Sequence, residues 1–306
     1  MIKLLRTATF LLCTAVAVPA MAQDFDKGLE AFQAGDYETA LQEWRPLAEQ
    51  GNASAQNNLG FMYEIGSGVI QIYAEAVDWY RKAAEQGYAR AQTDLGFMYE
   101  IGYGVIQNYA EAVDWYRKAA EQGDARAQTN LGIMYDEGNG VIQDYAEAAN
   151  WFRLAAEQGD AGAQANLGIM YDEGTGVIQD YAEAANWFRL AAEQGDAGAQ
   201  AILGAMYANG NGVTQDYAEA ANWFRLAAEQ GNASAQNNLG VLYANGGGVL
   251  QDLVIAHMWY NISGANGDEL GPDNRGLIEE QMTREQIAEA QALARRCMAS
   301  DYQDCG

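Results

Sequence analysis

One period dominates the sequence, a motif of 36 residues that occurs six times. The copies align on six tryptophans at a constant spacing: Trp79, Trp115, Trp151, Trp187, Trp223 and Trp259. They also align on six Leu-Gly pairs: Leu59-Gly60, Leu95-Gly96, Leu131-Gly132, Leu167-Gly168, Leu203-Gly204 and Leu239-Gly240. A fixed period of this length is typical of a solenoid, in which each unit packs mainly on its neighbours. The period therefore predicts a stack of similar units.

Each unit is predicted to form two α-helices joined by a glycine-containing turn. In residues 124–159, the first helix carries one apolar stripe in which every fourth residue recurs: Ala127, Leu131 and Tyr135. The second helix carries a wider stripe at helical spacing: Ala148, Trp151, Phe152, Ala155 and Ala156. Gly138 and Gly140 interrupt the pattern between the helices, because glycine adopts positive φ without strain. Gly159 is predicted to close the second helix as a left-handed cap.

One glycine of each unit falls inside the first helix, and Gly132 is an example. A glycine in a helix interior costs about 1 kcal/mol relative to alanine. Because this glycine recurs in all six units, we expect a neighbouring helix to pass too close for a side chain.

The first 22 residues have the composition of a secretory signal peptide. Lys3 and Arg6 give a basic start, residues 4–18 are mostly apolar, and small residues precede a cleavage point after Ala22. The apolar run is shorter than the roughly 20 residues that span a bilayer, so we expect no integral membrane segment after cleavage. The sequence therefore predicts an exported bacterial protein, either periplasmic or secreted.

The chain is strongly acidic, with 17 Lys and Arg against 42 Asp and Glu and a formal net charge of −25. Removal of Lys3 and Arg6 with the signal peptide would change this charge to −27. Such a field repels nucleic acid and anionic lipid, because phosphate binding needs clustered Lys and Arg. We therefore expect no nucleic-acid partner. Cationic partners and plain solubility are the two remaining explanations of the charge.

Three motifs recur together in residues 52–267: an Ala-x-x-x-Leu-Gly-x-x-Tyr helix, a Gly-x-Gly-Val turn, and an Ala-x-x-Trp-Tyr/Phe-x-x-Ala-Ala-Glu-Gln-Gly helix. In six full units, this combination resembles the Sel-one-like repeat (SLR) family, a relative of the tetratricopeptide repeat. The resemblance implies an all-α fold, a right-handed α-solenoid of helix-turn-helix repeats that forms a tetratricopeptide-like superhelix. It also implies adaptor work, such as assembling complexes, supporting signalling or contacting a host.

The segment before the repeats looks like a modified unit. Residues 23–51 are predicted to form an N-terminal tetratricopeptide-like hairpin with a short turn. Trp44 falls in register with Tyr80 rather than with Trp79. Pro46 should kink the second helix of this hairpin or lie near its edge.

Residues 268–306 are predicted to form a C-terminal helical cap. A capping box that begins with Thr283 starts a helix that runs to about Ala299. Cys297 and Cys305, which remain after signal removal, are expected to form a disulfide in an oxidising compartment. A free thiol pair and an intermolecular bridge are the alternatives. No metal site is predicted, because zinc takes four ligands and no histidine lies near these cysteines.

Comparison of the six units locates the positions that vary. On the first helix they recur at steps of three or four residues, which places them on one face. In the resembled family this face lines a concave groove, so we predict a partner-binding surface there. Its residues are Asn57, Asn58, Phe61, Glu64, Arg90, Asp94, Phe97, Glu100, Arg126, Asn130, Ile133, Glu137, Asn166, Ile169 and Glu173. Ordinary drift on a solvent-exposed face is the alternative interpretation.

One column of this face is apolar in most units: Phe61, Phe97, Ile133, Ile169 and Val241. Acidic residues flank the column: Glu64, Glu100, Asp136, Glu137, Asp172 and Glu173. An apolar row between acids suits a basic amphipathic peptide, which the column would anchor. Alternatively, the column serves as packing between neighbouring first helices.

The sequence offers little chemistry for catalysis. His257 is the sole histidine, and a serine or cysteine nucleophile would need it as a base. Its neighbours Met258 and Trp259 favour a packing role instead. The pair Asp136-Glu137 lacks the ligand spacing of a calcium-binding loop. We predict no catalytic residue, no metal and no cofactor.

These observations favour a non-enzymatic protein–protein interaction scaffold or adaptor that binds a partner protein or peptide in the groove. One alternative is an enzyme acting on cell-wall or β-lactam-like substrates, an activity linked to cysteine-rich members of the resembled family. This chain lacks the cysteine pair in every unit that marks those members. Another alternative is a secreted host-surface-binding factor. The sequence leaves the partner and the oligomeric state open.

Overall fold

The computed structural model describes residues 24–305, which contain sixteen α-helices and no strand. Two helices precede the repeats: α1 (Phe25–Gln33) and α2 (Tyr37–Glu49). The first helices of repeats one to six are α3 (Ala53–Ile65), α5 (Ala89–Ile101), α7 (Ala125–Glu137), α9 (Ala161–Glu173), α11 (Ala197–Asn209) and α13 (Ala233–Asn245). The second helices are α4 (Tyr73–Glu85), α6 (Tyr109–Ala120), α8 (Tyr145–Glu157), α10 (Tyr181–Glu193), α12 (Tyr217–Ala228) and α14 (Leu253–Ala265). Two helices follow: α15 (Leu270–Glu279) and α16 (Arg284–Ala299).

The predicted all-α helical-repeat fold is confirmed by this helix order. The predicted signal peptide, residues 1–22, lies outside the described residues. The chain divides into two compact units, one that ends at Ala83 and one that begins at Ala84.

The first unit has its core between α1, α2 and α3. Trp44 is almost completely buried there, and its Nε1 donates to the backbone oxygen of Phe25 over 3.1 Å. Its ring lies against Gly28 in the same way that the Tyr80 ring lies against Gly60. The predicted register of Trp44 with Tyr80 is therefore confirmed. Pro46 lies in the last turn of α2. This position agrees with the predicted alternative in which the proline lies near the edge of the helix.

In the second unit, core clusters are shared between consecutive repeats. The cluster between repeats three and four takes its residues from both α8 and α9: Ala148, Ala149, Phe152, Ala155, Ala156, Ala163, Leu167 and Met170. Equivalent clusters join repeats two and three and repeats four and five. Helices α6, α8, α10 and α12 each pack on the first helix of their own repeat and on that of the next repeat, so repeats two to five do not bury their apolar residues alone.

The glycine inside each first helix has the close neighbour that the sequence predicted. A Cβ atom on Gly132 would lie 2.7 Å from the Phe152 ring of the same repeat. The ring of Tyr116 stands at the same distance from the position that a Cβ would take on Gly96. Carbon atoms attract each other best at about 3.5–4.0 Å, so a side chain at this position would clash. The second helix can therefore approach only where the first helix has glycine.

In repeats one to five, the tryptophan lies at the edge of the core, and the aromatic residue that follows it is the buried one. Phe152 is buried, whereas Trp151, which precedes it, is only half-buried. The Trp151 Nε1 donates to Glu147 Oε1 over 3.0 Å at the surface of α8. Trp151 therefore packs on the apolar side of α8 at the edge of a core cluster, whereas the ring that faces Gly132 belongs to the next residue.

A buried glutamine connects consecutive repeats in the second unit. The Gln128 Nε2 donates to the backbone oxygen of Ala120 over 3.1 Å, and its Oε1 accepts from Gln158 Nε2 over 2.7 Å. Ala120 ends α6, so its carbonyl accepts from outside that helix, from the Gly123 backbone N–H and from Gln128. The same bond to an alanine carbonyl of the preceding repeat recurs at four further glutamines: Gln92, Gln164, Gln200 and Gln236.

The C-terminal cap contains one helix that the sequence did not predict, α15, and one that it did, α16. The predicted capping box at Thr283 is present, because its hydroxyl accepts from the Gln286 backbone N–H and the Gln286 side chain accepts in return. Helix α16 packs on α14. Cys297 and Cys305, the predicted pair, are joined by a disulfide.

Replacement of Gly132 by alanine should destabilise the protein by about 1–3 kcal/mol, the usual cost of overpacking a core. Urea denaturation followed by circular dichroism measures this change. The matched control is Gly162→Ala in α9, where the nearest atom to the added Cβ would be Asp160 Oδ1 at 3.4 Å. Because alanine is the better helix former, this control should leave stability unchanged or raise it. Equal losses from both changes would contradict the proposed contact.

Replacement of Gln164 by alanine should cost about 1–3 kcal/mol, because it removes two hydrogen bonds, one to the carbonyl of Ala156 and one from Gln194 Nε2. The same denaturation experiment measures the loss. Gln281→Ala, at an exposed position, is the control and should lie within about 0.5 kcal/mol of the parent. A loss at Gln164 as small as the control would show that the glutamine bond does not stabilise the stack.

Candidate functional site

The apolar column predicted on the first helices is accessible in the folded chain. Phe61, Phe97 and Ile169 expose 37%, 40% and 39% of their surface. Ile133 and Val241 are half-buried. We call this side of repeats two to six the first-helix face, defined by Phe97, Ile133, Ile169 and Val241; Phe61 has the same position in repeat one, in the first unit. Their exposure makes the face available for contact and speaks against a purely internal packing role.

The predicted binding residue Asn57 does not lie on this surface. Asn57 is 1% exposed, and Thr93, at the same position of repeat two, is 0% exposed. The Thr93 hydroxyl donates to the Ala89 backbone oxygen and to Asp124 Oδ1, in each case over 3.1 Å. Asp124 begins the first helix of the next repeat, so this column packs between repeats. The assignment of Asn57 to a partner-binding surface was wrong, because a polar residue was taken for an exposed one.

Two predicted residues form an ion pair with each other. Arg126 Nη2 lies 2.8 Å from Asp94 Oδ1, which links the first helices of repeats two and three. Arg90 is exposed, and Asn58 and Asn130 are half-buried. The Arg126 side chain is 55% exposed and that of Asp94 is 14% exposed, so the arginine is the member of the pair that reaches the surface.

A cavity of about 270 Å³ lies between repeats three and four on the first-helix face. Three of the predicted residues line it: Asn166, Ile169 and Glu173. Asp136 closes it from the preceding repeat, and the Phe152 ring forms part of its wall. The cavity therefore combines two carboxylates, an amide and an apolar surface.

The acids along this face differ in their partners. Glu100 Oε2 accepts from the Tyr116 hydroxyl over 2.5 Å, and burial together with this bond raises the pKa of Tyr116. In repeat three, phenylalanine replaces the tyrosine and aspartate replaces the glutamate. Among the hydrogen bonds of the described residues, none reaches the side chain of Asp136 or Asp172. These two carboxylates are therefore free to accept a donor from outside.

The environment of these free acids disfavours their charge. Partial burial raises the pKa of Asp136, and the neighbouring carboxylates of Glu137 and Glu173 raise it further. Burial and Glu173 raise the pKa of Asp172 in the same way. A bound cation would relieve this repulsion.

The same cavity recurs without acids in repeats five and six. It measures about 290 Å³ and is lined by Val241, with Ala208 and Asn209 where repeat three has Asp136 and Glu137. Both cavities have a phenylalanine in the wall, because Phe224 occupies the position in repeat five that Phe152 occupies in repeat three. Acidic residues at these two positions of the first helix thus occur only in repeats one to four.

His257 lies away from this face and is fully buried. Its Nε2 is 2.9 Å from Glu279 Oε1, and its Nδ1 has no hydrogen-bond partner among the described residues. The packing role that the sequence favoured agrees with this burial. Between residues 24 and 305, no group of three His, Cys, Asp or Glu side chains could hold a metal ion.

The fold and this face define a helical-repeat protein of the interaction-scaffold type. A family model described as the Sel1 repeat matches residues 53–88, 89–124, 125–160, 161–196, 197–232 and 233–268. The chain therefore belongs to the Sel1 repeat family, as its motifs predicted. Proteins built from such repeats generally mediate protein–protein interaction.

Two solved structures are similar to this chain. One is a protective antigen present in uropathogenic Escherichia coli strains, with an SLR fold, 38% identity and a TM-score of 0.80 over 88% of this chain. This chain spans 60% of the length of that antigen. The other is a Sel1 repeat protein from Oxalobacter formigenes, with 38% identity and a TM-score of 0.70 over 79% of this chain and 97% of its own.

Among curated proteins, none matches the sequence. The helices within residues 24–305 include none with the length and apolar composition needed to cross a membrane.

Replacement of Asp136 by asparagine should stabilise the fold slightly at pH 7, by up to about 0.5 kcal/mol. Because the pKa of Asp136 is raised on folding, the folded state holds the proton more tightly and its ionised form costs stability above both pKa values. This cost disappears as the pH falls through the raised pKa. The advantage of the variant should therefore shrink between pH 7 and pH 4 in thermal melts.

The control for this measurement is Glu289→Gln, at an exposed position within α16. Its effect on the melting temperature should be the same at both pH values. An Asp136→Asn variant that is less stable than the parent at pH 7 would contradict the proposed repulsion.

Proposed function

We propose that this protein is a non-enzymatic scaffold whose first-helix face binds an extended partner segment with basic and apolar side chains. The observation that carries the proposal is the cavity between repeats three and four, where Asp136 and Glu173 stand beside the accessible Ile169. A lysine or arginine suits this arrangement, because its apolar stem can lie on Ile169 while its charged end meets the carboxylates.

The repetition of the face supports binding of a segment rather than of a single side chain. Ile133 precedes Ile169 by one repeat, and acids accompany the column through repeats one to four. A partner that places a basic side chain at each step would make several modest contacts. Their sum would give useful affinity although each exposed contact is weak.

Export to the periplasm or beyond belongs to the same proposal. Its support is the composition of residues 1–22 and the disulfide between Cys297 and Cys305, which suits an oxidising compartment.

A catalytic function has less support. The sole histidine, His257, is buried among the helices of the C-terminal region rather than in the acidic cavity. A Sel1-repeat solenoid is typically a non-catalytic scaffold. Nitrocefin or muropeptide turnover by the purified chain, lost in His257→Ala, would favour the enzyme instead.

The binding proposal is tested with residues 23–306 and a fluorescent peptide of alternating lysine and valine. Asp136→Asn combined with Glu173→Gln should weaken binding about ten-fold, equivalent to 1.4 kcal/mol. The matched gain-of-charge variant is Ala208→Asp with Asn245→Glu, which places the same acids in the neutral cavity of repeats five and six. This variant should bind the peptide more tightly than the parent.

A peptide of alternating glutamate and valine is the negative control and should not bind. The affinity for the lysine peptide should fall as salt rises, because the exposed charges are screened. If neither pair of substitutions changes the affinity, the first-helix face is not the binding surface and the proposal fails.

A further inference from the structure

The second helices carry a second apolar surface in repeats three to five. Each of these repeats exposes a leucine one turn after its half-buried tryptophan. The exposed fractions are 45% for Leu154, 43% for Leu190 and 46% for Leu226. We call the six residues Trp151, Leu154, Trp187, Leu190, Trp223 and Leu226 the second-helix face.

In repeat six, the positions that correspond to this face are covered by another part of the chain. Trp259 and Ile262 stand at the same positions of the repeat, and they are 3% and 0% exposed. They belong to a core cluster with Ala294 and Cys297 of α16, which Leu293 joins from the same helix. A helix with small and apolar side chains at helical spacing is therefore the natural cover for the Trp–Leu pair.

The depressions beside Trp187 and Trp259 differ in the same way, because one is open and the other is covered. In repeats five and six, the depression next to Trp259 is lined by the chain's own tail, including Gln303 and Cys305, and measures about 220 Å³. The equivalent depression next to Trp187 has no such cover and measures about 670 Å³. Ile178, which is 90% exposed, adds an apolar rim to the open depression.

The residues around the tryptophan differ between the covered and the open repeats. Repeat six has Ile255 and Met258 where repeat four has Glu183 and Asn186. Met258 is fully buried beneath the cap, whereas Asn186 is exposed. The open face therefore has a narrower apolar stripe with a carboxylate at its edge, and a matching helix needs a narrow apolar stripe flanked by basic residues.

Repeats one and two lack this face. Lys82 and Lys118 replace the leucine, and each ammonium group lies over the tryptophan ring of its own helix, at 3.7 Å from Trp79 and 3.8 Å from Trp115. A lysine in this position covers the face of the tryptophan ring through a cation–π contact. The apolar surface is thus limited to repeats three to five.

We propose that the second-helix face binds an amphipathic helix of another protein, with small and apolar residues along one stripe and Lys or Arg beside it. The helix would lie on the tryptophans of repeats three to five as α16 lies on Trp259. The acidic edge, with Glu147, Glu183 and Glu219, selects a basic helix over the chain's own cap. This surface is separate from the first-helix face and can be tested independently of it.

The probe is a synthetic peptide of the same length as α16, with alanine and leucine at the stripe positions and lysine elsewhere. Its binding to residues 23–306 is followed through the indole N–H signals of Trp151, Trp187 and Trp223 in NMR spectra. The test variant carries Leu154→Lys, Leu190→Lys and Leu226→Lys. Repeats one and two already hold lysine there, so the variant should fold, which circular dichroism verifies.

The parent should bind the peptide saturably and shift these three indole signals, and the triple variant should bind it about ten-fold or more weakly. Asp136→Asn with Glu173→Gln, on the first-helix face, should leave the shifts of these three indole signals unchanged, because the signals report only the second-helix face. Equal binding by the triple variant, or equal binding of a peptide with serine along the stripe, would overturn the proposal. A dimer of the parent that the triple variant abolishes would also overturn it, because a second copy would then occupy the face.

Discussion

The contact between a helix glycine and an aromatic ring determines the geometry of every repeat. In all six repeats a Cβ on the glycine would lie within 2.7–2.8 Å of the tyrosine or phenylalanine of the second helix. This approach fixes the rotation of the second helix about its own axis. Once Phe152 faces Gly132, the preceding residue, Trp151, must point away from the first helix, and Leu154 lies one turn further on the same exposed side. The positions of both candidate surfaces follow from this single contact.

A constant interior and a variable exterior explain why the repeats are similar but not identical. The glycine, the aromatic ring and the connecting glutamine recur because each makes a buried contact that tolerates little change. The chemistry changes where the side chains are accessible. On the first helices, acids in repeats one to four give way to Ala208 and Asn209 in repeat five. On the second helices, Lys118 in repeat two gives way to Leu154 in repeat three. One scaffold thus presents two surfaces whose character changes along the chain.

The period and the helical spacing predicted the fold because both are local properties of the sequence. The close approach at Gly132 and the capping box at Thr283 were predicted for the same reason. The sequence did not show that Phe152 is more deeply buried than Trp151, because adjacent aromatic residues both fit one apolar stripe and only the neighbouring helix distinguishes them. Asn57 was misplaced because a polar residue can be buried between repeats. The cavity at Asp136 depends on contacts between two repeats, and the cover of Trp259 depends on contacts between repeat six and α16. The sequence of one repeat does not contain this information.

The central claim is most directly tested by a double-mutant cycle between Gly132→Ala and Phe152→Leu, with unfolding free energies measured in urea. If the glycine is required because of the ring, the alanine should cost much less in the leucine background than in the parent. The two changes would then show a coupling energy of about 1 kcal/mol or more. If the two losses simply add, the ring does not exclude a side chain at Gly132, and the orientation of both surfaces needs another explanation.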